Sequence, residues 1–183
     1  PVHAYVLTHL QSFHPADTHQ RQLRDAYTDA VAGRGEAMLW KGLADHHITA
    51  SCFVLSPDLD QILLTHHRKG QFWVQFGGHL EPADQSLEAA ALREAREESG
   101  IDTLRLIGGV ADLDRHDLHG GFTCRTHWDI GFTALADPLT PIAVSDESED
   151  VAWWPIADLP EGATGDLPRR IDRAVASLRR HTD

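Results

Sequence analysis

The chain has 183 residues, with 16 Lys and Arg against 28 Asp and Glu, giving a formal net charge of −12. That length fits one domain, or one domain with an extension, and can bury roughly 70% of the extended chain's surface without disulfide or metal staples. The charge excludes a duplex DNA or RNA binder, whose affinity comes from clustered cations on phosphate. A small anionic substrate stays open if a metal supplies the positive charge. No apolar run approaches the roughly 18 residues of a membrane span, and the opening Pro-Val-His-Ala carries no basic leader, so a cytosolic protein without a membrane partner is expected.

In chain order, Pro15 to Trp40 reads as helical, with Leu23, Ala26, Tyr27, Ala30 and Val31 at spacings of three and four until Gly33 and Gly35 interrupt. Its apolar stripe is expected to pack on the main domain, and it also offers a surface for a homodimer. From Ile48 the texture changes to strands. Ile48–Leu55 and Ile62–Thr65, joined by Ser-Pro-Asp-Leu-Asp-Gln, read as a β-hairpin, and Phe72–Phe76 as a short third strand leading into Gly77-Gly78. Ser86 to Ser99 reads as a helix that Gly100 terminates, with Leu87, Ala90, Ala91 and Ala95 on one face. Strands follow near Leu104–Leu113, Thr126–Ala136 and Val151–Trp154. A final helix over Leu167–Arg180 turns Ile171, Ala174, Val175 and Leu178 inward and five arginines outward. Helices and strands mix without strict alternation, so an α/β fold with a mixed β-sheet between helices is expected. Residues 1–45 would form a helical extension and residues 46–183 the main domain.

The two cysteines, Cys52 and Cys124, sit in apolar strand-like segments and read as reduced core thiols; with no Cys-x-x-Cys there is no zinc knuckle. The thirteen histidines are scattered without the paired helical spacing of a metal site and mostly read as surface residues; only His79 and His127 are singled out.

The chemistry concentrates in Gly77 to Ile101. Glu94, Glu97 and Glu98 stand at i, i+3 and i+4, so their carboxylates share an arc of about 100° on one helix. Two glycines at a strand end let backbone approach a ligand closely. Hard oxygen ligands gathered in this way suit Mg²⁺ or Mn²⁺, which keep several waters and bind substrate phosphates.

This segment resembles the signature of the Nudix hydrolase family. Arg93-Glu94-Ala95-Arg96-Glu97-Glu98-Ser99-Gly100-Ile101 matches its second half, with Ala95 in place of a larger aliphatic residue. Gly78 opens the first half. After five intervening residues stands Asp84 where the family has Glu, and eight residues rather than seven then separate it from Arg93. The resemblance spans roughly Ile48 to Leu159.

The resemblance implies a Nudix-type α/β/α sandwich that hydrolyses, with Mg²⁺ or Mn²⁺, a diphosphate bond in a nucleoside diphosphate linked to another group. Carried over, Glu97 and Glu98 would ligate the metal and the Gly77 carbonyl would complete part of its shell. Glu94 would be a further ligand or the general base. Arg93 would orient the glutamates, with Gly78 and Asp84 in supporting positions. One more carboxylate is expected from Asp146–Asp150, with Glu147 first and Glu149 second. Arg68, with Lys69 beside it, His79 and Asp129 are candidates for substrate contact, although Asp129 also fits a structural hydrogen bond and Trp73 a place in the core. Two rival functions are a nucleotide sensor that does not cleave and an isopentenyl-diphosphate isomerase, which would need a reactive cysteine near the site. No downstream motif selects a substrate.

Overall fold

The computed structural model describes residues 2–118 and 124–182. Four helices, α1 (Val2–Ser12), α2 (Thr18–Arg34), α3 (Leu87–Ser99) and α4 (Leu167–Thr182), enclose a seven-stranded mixed sheet. Its strands are β1 (His46–Leu55), β2 (Gln61–His67), β3 (Trp73–Val74), β4 (Phe76–His79), β5 (Asp112–Asp117), β6 (Thr126–Leu135) and β7 (Ser148–Pro155). None of the described helices is long and apolar enough to cross a membrane.

Strand β1 organises the sheet. It pairs in parallel with β6 along its whole length, from His46↔Thr126 to Leu55↔Leu135. Its other edge is divided: β4 takes Thr49–Cys52 and β2 takes Val54 and Leu55, both antiparallel. The expected hairpin is therefore present, and β4 delivers Gly77 and Gly78 beside the middle of β1. Strand β7 pairs with β2, and β5 with the outer side of β6.

Because side chains alternate across a strand, β1 has two separate faces. Ile48, Ala50, Cys52 and Val54 enter the core layer shared with α1, α2 and α3, whereas Phe53 and Leu55 pack against Leu167, Ile171, Ala174 and Leu178 of α4. Both cysteines are buried and free, and burial pushes the Cys52 thiol up to about 12. Ala95 packs among Cys52, Val54, Phe76 and Leu104, where its small side chain lets α3 lie close to the sheet.

The N-terminal region differs from the single helix expected. Asp17 caps a helix that runs only from Thr18 to Arg34, Gly35 ends it at φ 57°, and a 3-10 turn follows over Gly35–Met38. A further helix, α1, precedes it. The apolar stripe packs on the sheet as expected: Val6, Leu10, Leu23, Tyr27 and Val31 join Ile48, Ile130 and Phe132 in one core. Gln20 is fully buried and bonds both the N–H and the C=O of Leu113 at 2.9 Å, so its amide closes part of the open edge of β5.

Two further differences concern the second half of the chain. The strand expected at Leu104–Leu113 forms only over Asp112–Asp117; Leu104 and Ile107 are buried or half-buried as irregular backbone. Arg170, expected to face outward with the other arginines of α4, is 1% exposed. Its guanidinium donates to Asp112 at 2.7 Å and to Asp129 at 2.7 Å, and Arg173 donates to Asp112 at 3.1 Å. Burial opposes the charge of Arg170, but the carboxylates of Asp112 and Asp129 hold it firmly protonated.

Candidate active site

Helix α3 is fixed at both ends. The Ser86 hydroxyl accepts from the Ala89 N–H at 3.1 Å, and Gly100, at φ 74°, donates to the carbonyl of Arg96. Between these caps Glu94, Glu97 and Glu98 project toward the β4 end of the sheet in distinct environments. Glu98 is 6% exposed, and its Oε2 accepts from the Gly77 N–H at 3.1 Å. Burial first, and then the charges of Glu94, Glu147 and Glu97, push its carboxyl well above the usual range. Glu94 is also shifted upward, by burial, against the pull of Arg93. The Glu97 side chain is 60% exposed.

The strand beneath requires a glycine at 77, and at 78 a side chain would have to push the Glu94 carboxylate aside. A Cβ on Gly78 would stand 2.6 Å from Glu94 Oε1, and one on Gly77 would stand 2.7 Å from Ser51 Cβ. Any larger residue at either position would displace a carboxylate or the strand beneath it.

Arg93 links the supporting groups. Its Nε and Nη2 donate to Oδ1 and Oδ2 of Asp84, both at 2.9 Å; Nη1 donates to Glu94 at 3.0 Å and Nη2 to the His79 carbonyl at 3.2 Å. Burial disfavours the Asp84 charge, but the bonds from Arg93 and from the Glu81 N–H outweigh it and hold the carboxyl below its ordinary range. Asp84 thus reaches Arg93 despite its shorter side chain and the extra residue between them.

Of the two candidates for the one further carboxylate, Glu147 lies near enough for its charge to raise both Glu94 and Glu98. Glu149 instead accepts from Gln71 at 2.9 Å and sits 3.2 Å from His66. Arg68 is exposed beside Glu147: its backbone N–H donates to the Glu147 carbonyl at 3.1 Å and its guanidinium to that of Ser148 at 3.2 Å. Trp73 is half-buried, edge-on to Trp154 at 5.3 Å.

Asp129 and His79 stand apart from this group. Asp129 is buried on the α4 face, and its oxygens accept from Thr49, Ser51 and Arg170, which occupies it structurally. His79 meets His47 at 5.3 Å and His127 at 4.8 Å, both edge-on. Burial pulls His79 down to about 4 and His127 to about 3, so both rings are neutral at pH 7 and offer no cation to a phosphate.

Sequence reasoning missed the buried Arg170 network and the histidine file, although alternation along β1 and β6 places His47, Thr49, Ser51, His127 and Asp129 on one face. Among the described residues, two groups hold side-chain ligand atoms within 4.8 Å of one another: His47, His79 and Cys124, and Asp114, His116 and Asp166. The α3 glutamates are not drawn that close.

The side chains gathered on α3 suit a hard dication: all are carboxylates, and one is buried among like charges with the Gly77 N–H as its one hydrogen-bond partner among the described residues. A mixed sheet between helices, with a glycine pair facing clustered glutamates, is the arrangement that the resemblance implies. A family model described as the NUDIX domain matches residues 45–175, and the chain belongs to the NUDIX family of pyrophosphohydrolases, which generally use divalent metals.

Solved structures agree on the fold. The Ap4A hydrolase of C. elegans in a binary complex has a TM-score of 0.60 at 17% identity, covering 72% of this chain and 97% of that one. The E. coli dihydroneopterin triphosphate pyrophosphohydrolase gives 0.59 at 17%, covering 70% and 94%. The NUDIX domain of Shewanella oneidensis NrtR complexed with ADP ribose gives 0.56 at 20%, covering 72% and 87%. No curated protein matches the sequence at a significant level.

Proposed function

We propose that the protein hydrolyses a diphosphate bond in a nucleoside diphosphate carrying a second group, using Mg²⁺ or Mn²⁺ held by Glu94, Glu97, Glu98, the Gly77 carbonyl and Glu147. The observation that carries this reading is Glu98, a buried carboxylate among three others with no side-chain cation bonded to it among the described residues. Bound there, the dication would neutralise diphosphate charge and lower the pKa of a coordinated water.

The chain's own residues do the rest. Glu98, anchored by the Gly77 N–H, presents a fixed oxygen, and Glu94, held by Arg93, is placed either as a ligand or to take the proton from the attacking water. Arg93 is a positioning residue, aimed by Asp84. Arg68, exposed next to Glu147, is the cation offered to a substrate phosphate. Ap4A hydrolase, dihydroneopterin triphosphate pyrophosphohydrolase and an ADP-ribose-bound domain, all similar in fold, support a nucleotide-type small molecule as substrate.

Binding without cleavage is the second reading, supported by the ADP-ribose complex of a similar domain. The retained Glu94, Glu97 and Glu98 favour cleavage. A panel of nucleoside diphosphate derivatives, assayed with Mg²⁺ and with Mn²⁺ on the wild type and on Glu98→Gln, decides. Turnover of one class by the wild type, abolished in the variant, is expected; equal activity in both overturns the assigned site.

A further inference from the structure

On the α4 side of the sheet, β1, β4 and the segment entering β6 bring together three residues that the hydrolysis reading does not use. His47, on β1, is 1% exposed, and Cys124, just before β6, is 3% exposed. His79 follows the glycine pair on β4. One ligand atom from each lies within 4.8 Å of the other two, and His47 Nδ1 stands 2.9 Å from Cys124 Sγ.

Buried polar atoms in folded proteins are nearly always paired, and leaving one unpaired costs free energy. Here the Nε2 atoms of His47 and His79 are buried without a hydrogen-bond partner among the described residues, as is that of the adjoining His127. Unpaired imidazole nitrogens beside a thiol suit a metal better than they suit an apolar core. Imidazole and thiolate select borderline or soft transition metals, whereas the α3 carboxylates select hard ones.

We propose that His47, His79 and Cys124 form a zinc site, separate from the carboxylate site, with three protein ligands and an open fourth position. A pocket of about 290 Å³ lined by Gly42, Leu43, Ala44, Asp45, His47 and Cys124 gives access from solvent and room for a water or a small ligand in that position. The Cys124 S–H now has the carbonyls of Asp45 at 3.2 Å and Thr126 at 3.4 Å as alternative acceptors. Zinc binding replaces the S–H bond with S–Zn and releases one proton to buffer. His127, edge-on to His79 at 4.8 Å, holds that ring in place.

The test uses the full chain, stripped with a chelator and then titrated with Zn²⁺ or Co²⁺ in excess Mg²⁺. The wild type is expected to retain one zinc per chain after dialysis, and its cobalt form to show a thiolate charge-transfer band in the near ultraviolet. Cys124→Ser removes the band, and His79→Gln weakens zinc binding by at least about tenfold. Glu98→Gln leaves zinc binding unchanged, which separates failure here from failure of the hydrolysis reading. Should a variant not fold, the wild type still answers: zinc must protect Cys124 from alkylation, with the deeply buried Cys52 as the silent thiol. A wild type that retains no zinc, a Cys124→Ser protein that binds it equally well, loss of zinc in Glu98→Gln, or unprotected Cys124 overturns the proposal.

Discussion

Arg93 grips Asp84 with two parallel bonds of 2.9 Å, one to each carboxylate oxygen. The loop that carries an extra residue thus brings the shorter acid to the same guanidinium that holds Glu94 at 3.0 Å. Asp84→Asn breaks this paired geometry and frees Arg93 to swing toward the glutamates. Activity should fall about 10–100-fold, with the Mg²⁺ needed for half-maximal rate rising, while the circular dichroism spectrum stays that of the wild type. Unchanged metal dependence would show that Asp84 does not act through Arg93.

Glu98 is held at a cost in the metal-free protein, charged among like charges or protonated against its ordinary tendency. Glu98→Gln keeps an acceptor for the Gly77 N–H and removes the charge. Above the ordinary carboxylate pKa, the chelator-treated variant should therefore be more stable than the wild type by about 1 kcal/mol, or roughly 2–4 °C in melting temperature. Mg²⁺ should then raise the melting temperature of the wild type and leave the variant unmoved. Thermal scans with and without Mg²⁺ read both effects.

Arg170 pairs with both Asp112 and Asp129, and with Arg173 it balances their charge where both acids are buried. Arg170→Met leaves both carboxylates buried and is expected to cost about 3–5 kcal/mol, measured by urea denaturation. A cost within experimental error would mean that water reaches the cluster.

The Gln20 amide stands where a neighbouring strand would bond Leu113. Gln20→Ala should cost about 1–3 kcal/mol, because it strands a buried donor and acceptor together. Hydrogen exchange at the Leu113 amide should accelerate by more than exchange at the Ile130 amide.

His116 titrates upward: burial works against its cation, but the Asp114 carboxylate 2.8 Å away outweighs burial. Its folded value therefore exceeds the ordinary 6.5, so its stabilising contribution is complete below pH 6.5 and is lost as pH rises through the folded value. His116→Gln should flatten that alkaline decline in melting temperature.

Legibility in the sequence followed physical locality. The caps Ser86 and Gly100, and the i, i+3, i+4 spacing of Glu94, Glu97 and Glu98, are properties of one short segment and are read directly from it. Arg170 is not local: its partners lie 58 and 41 residues away, and without them a charged helix residue reads as solvated. The segment Leu104–Val110 touches β6 only locally, at the Leu106–Ala134 bridge and the Ile107 N–H to Thr133 bond, while the true edge strand, Asp-Leu-Asp-Arg-His-Asp, looks polar because Asp112 meets Arg170 and Arg115 and Asp117 meet water. Helix α1 buries only Val6 and Leu10, too thin a stripe to announce itself. Which downstream acid faces α3 depended on the bend before β7, and that bend turns Glu147 in and Glu149 away.

The helices before β1 cover the same side of the sheet on which α3 rests, and His9 reaches across to Glu88 in its first turn at 2.7 Å. Cutting the chain at residue 45 would uncover Ile48, Ala50, Ile130 and Phe132 and remove one wall of the groove in which that helix is seated. The carboxylates would then ride on a rod clamped along one flank instead of two.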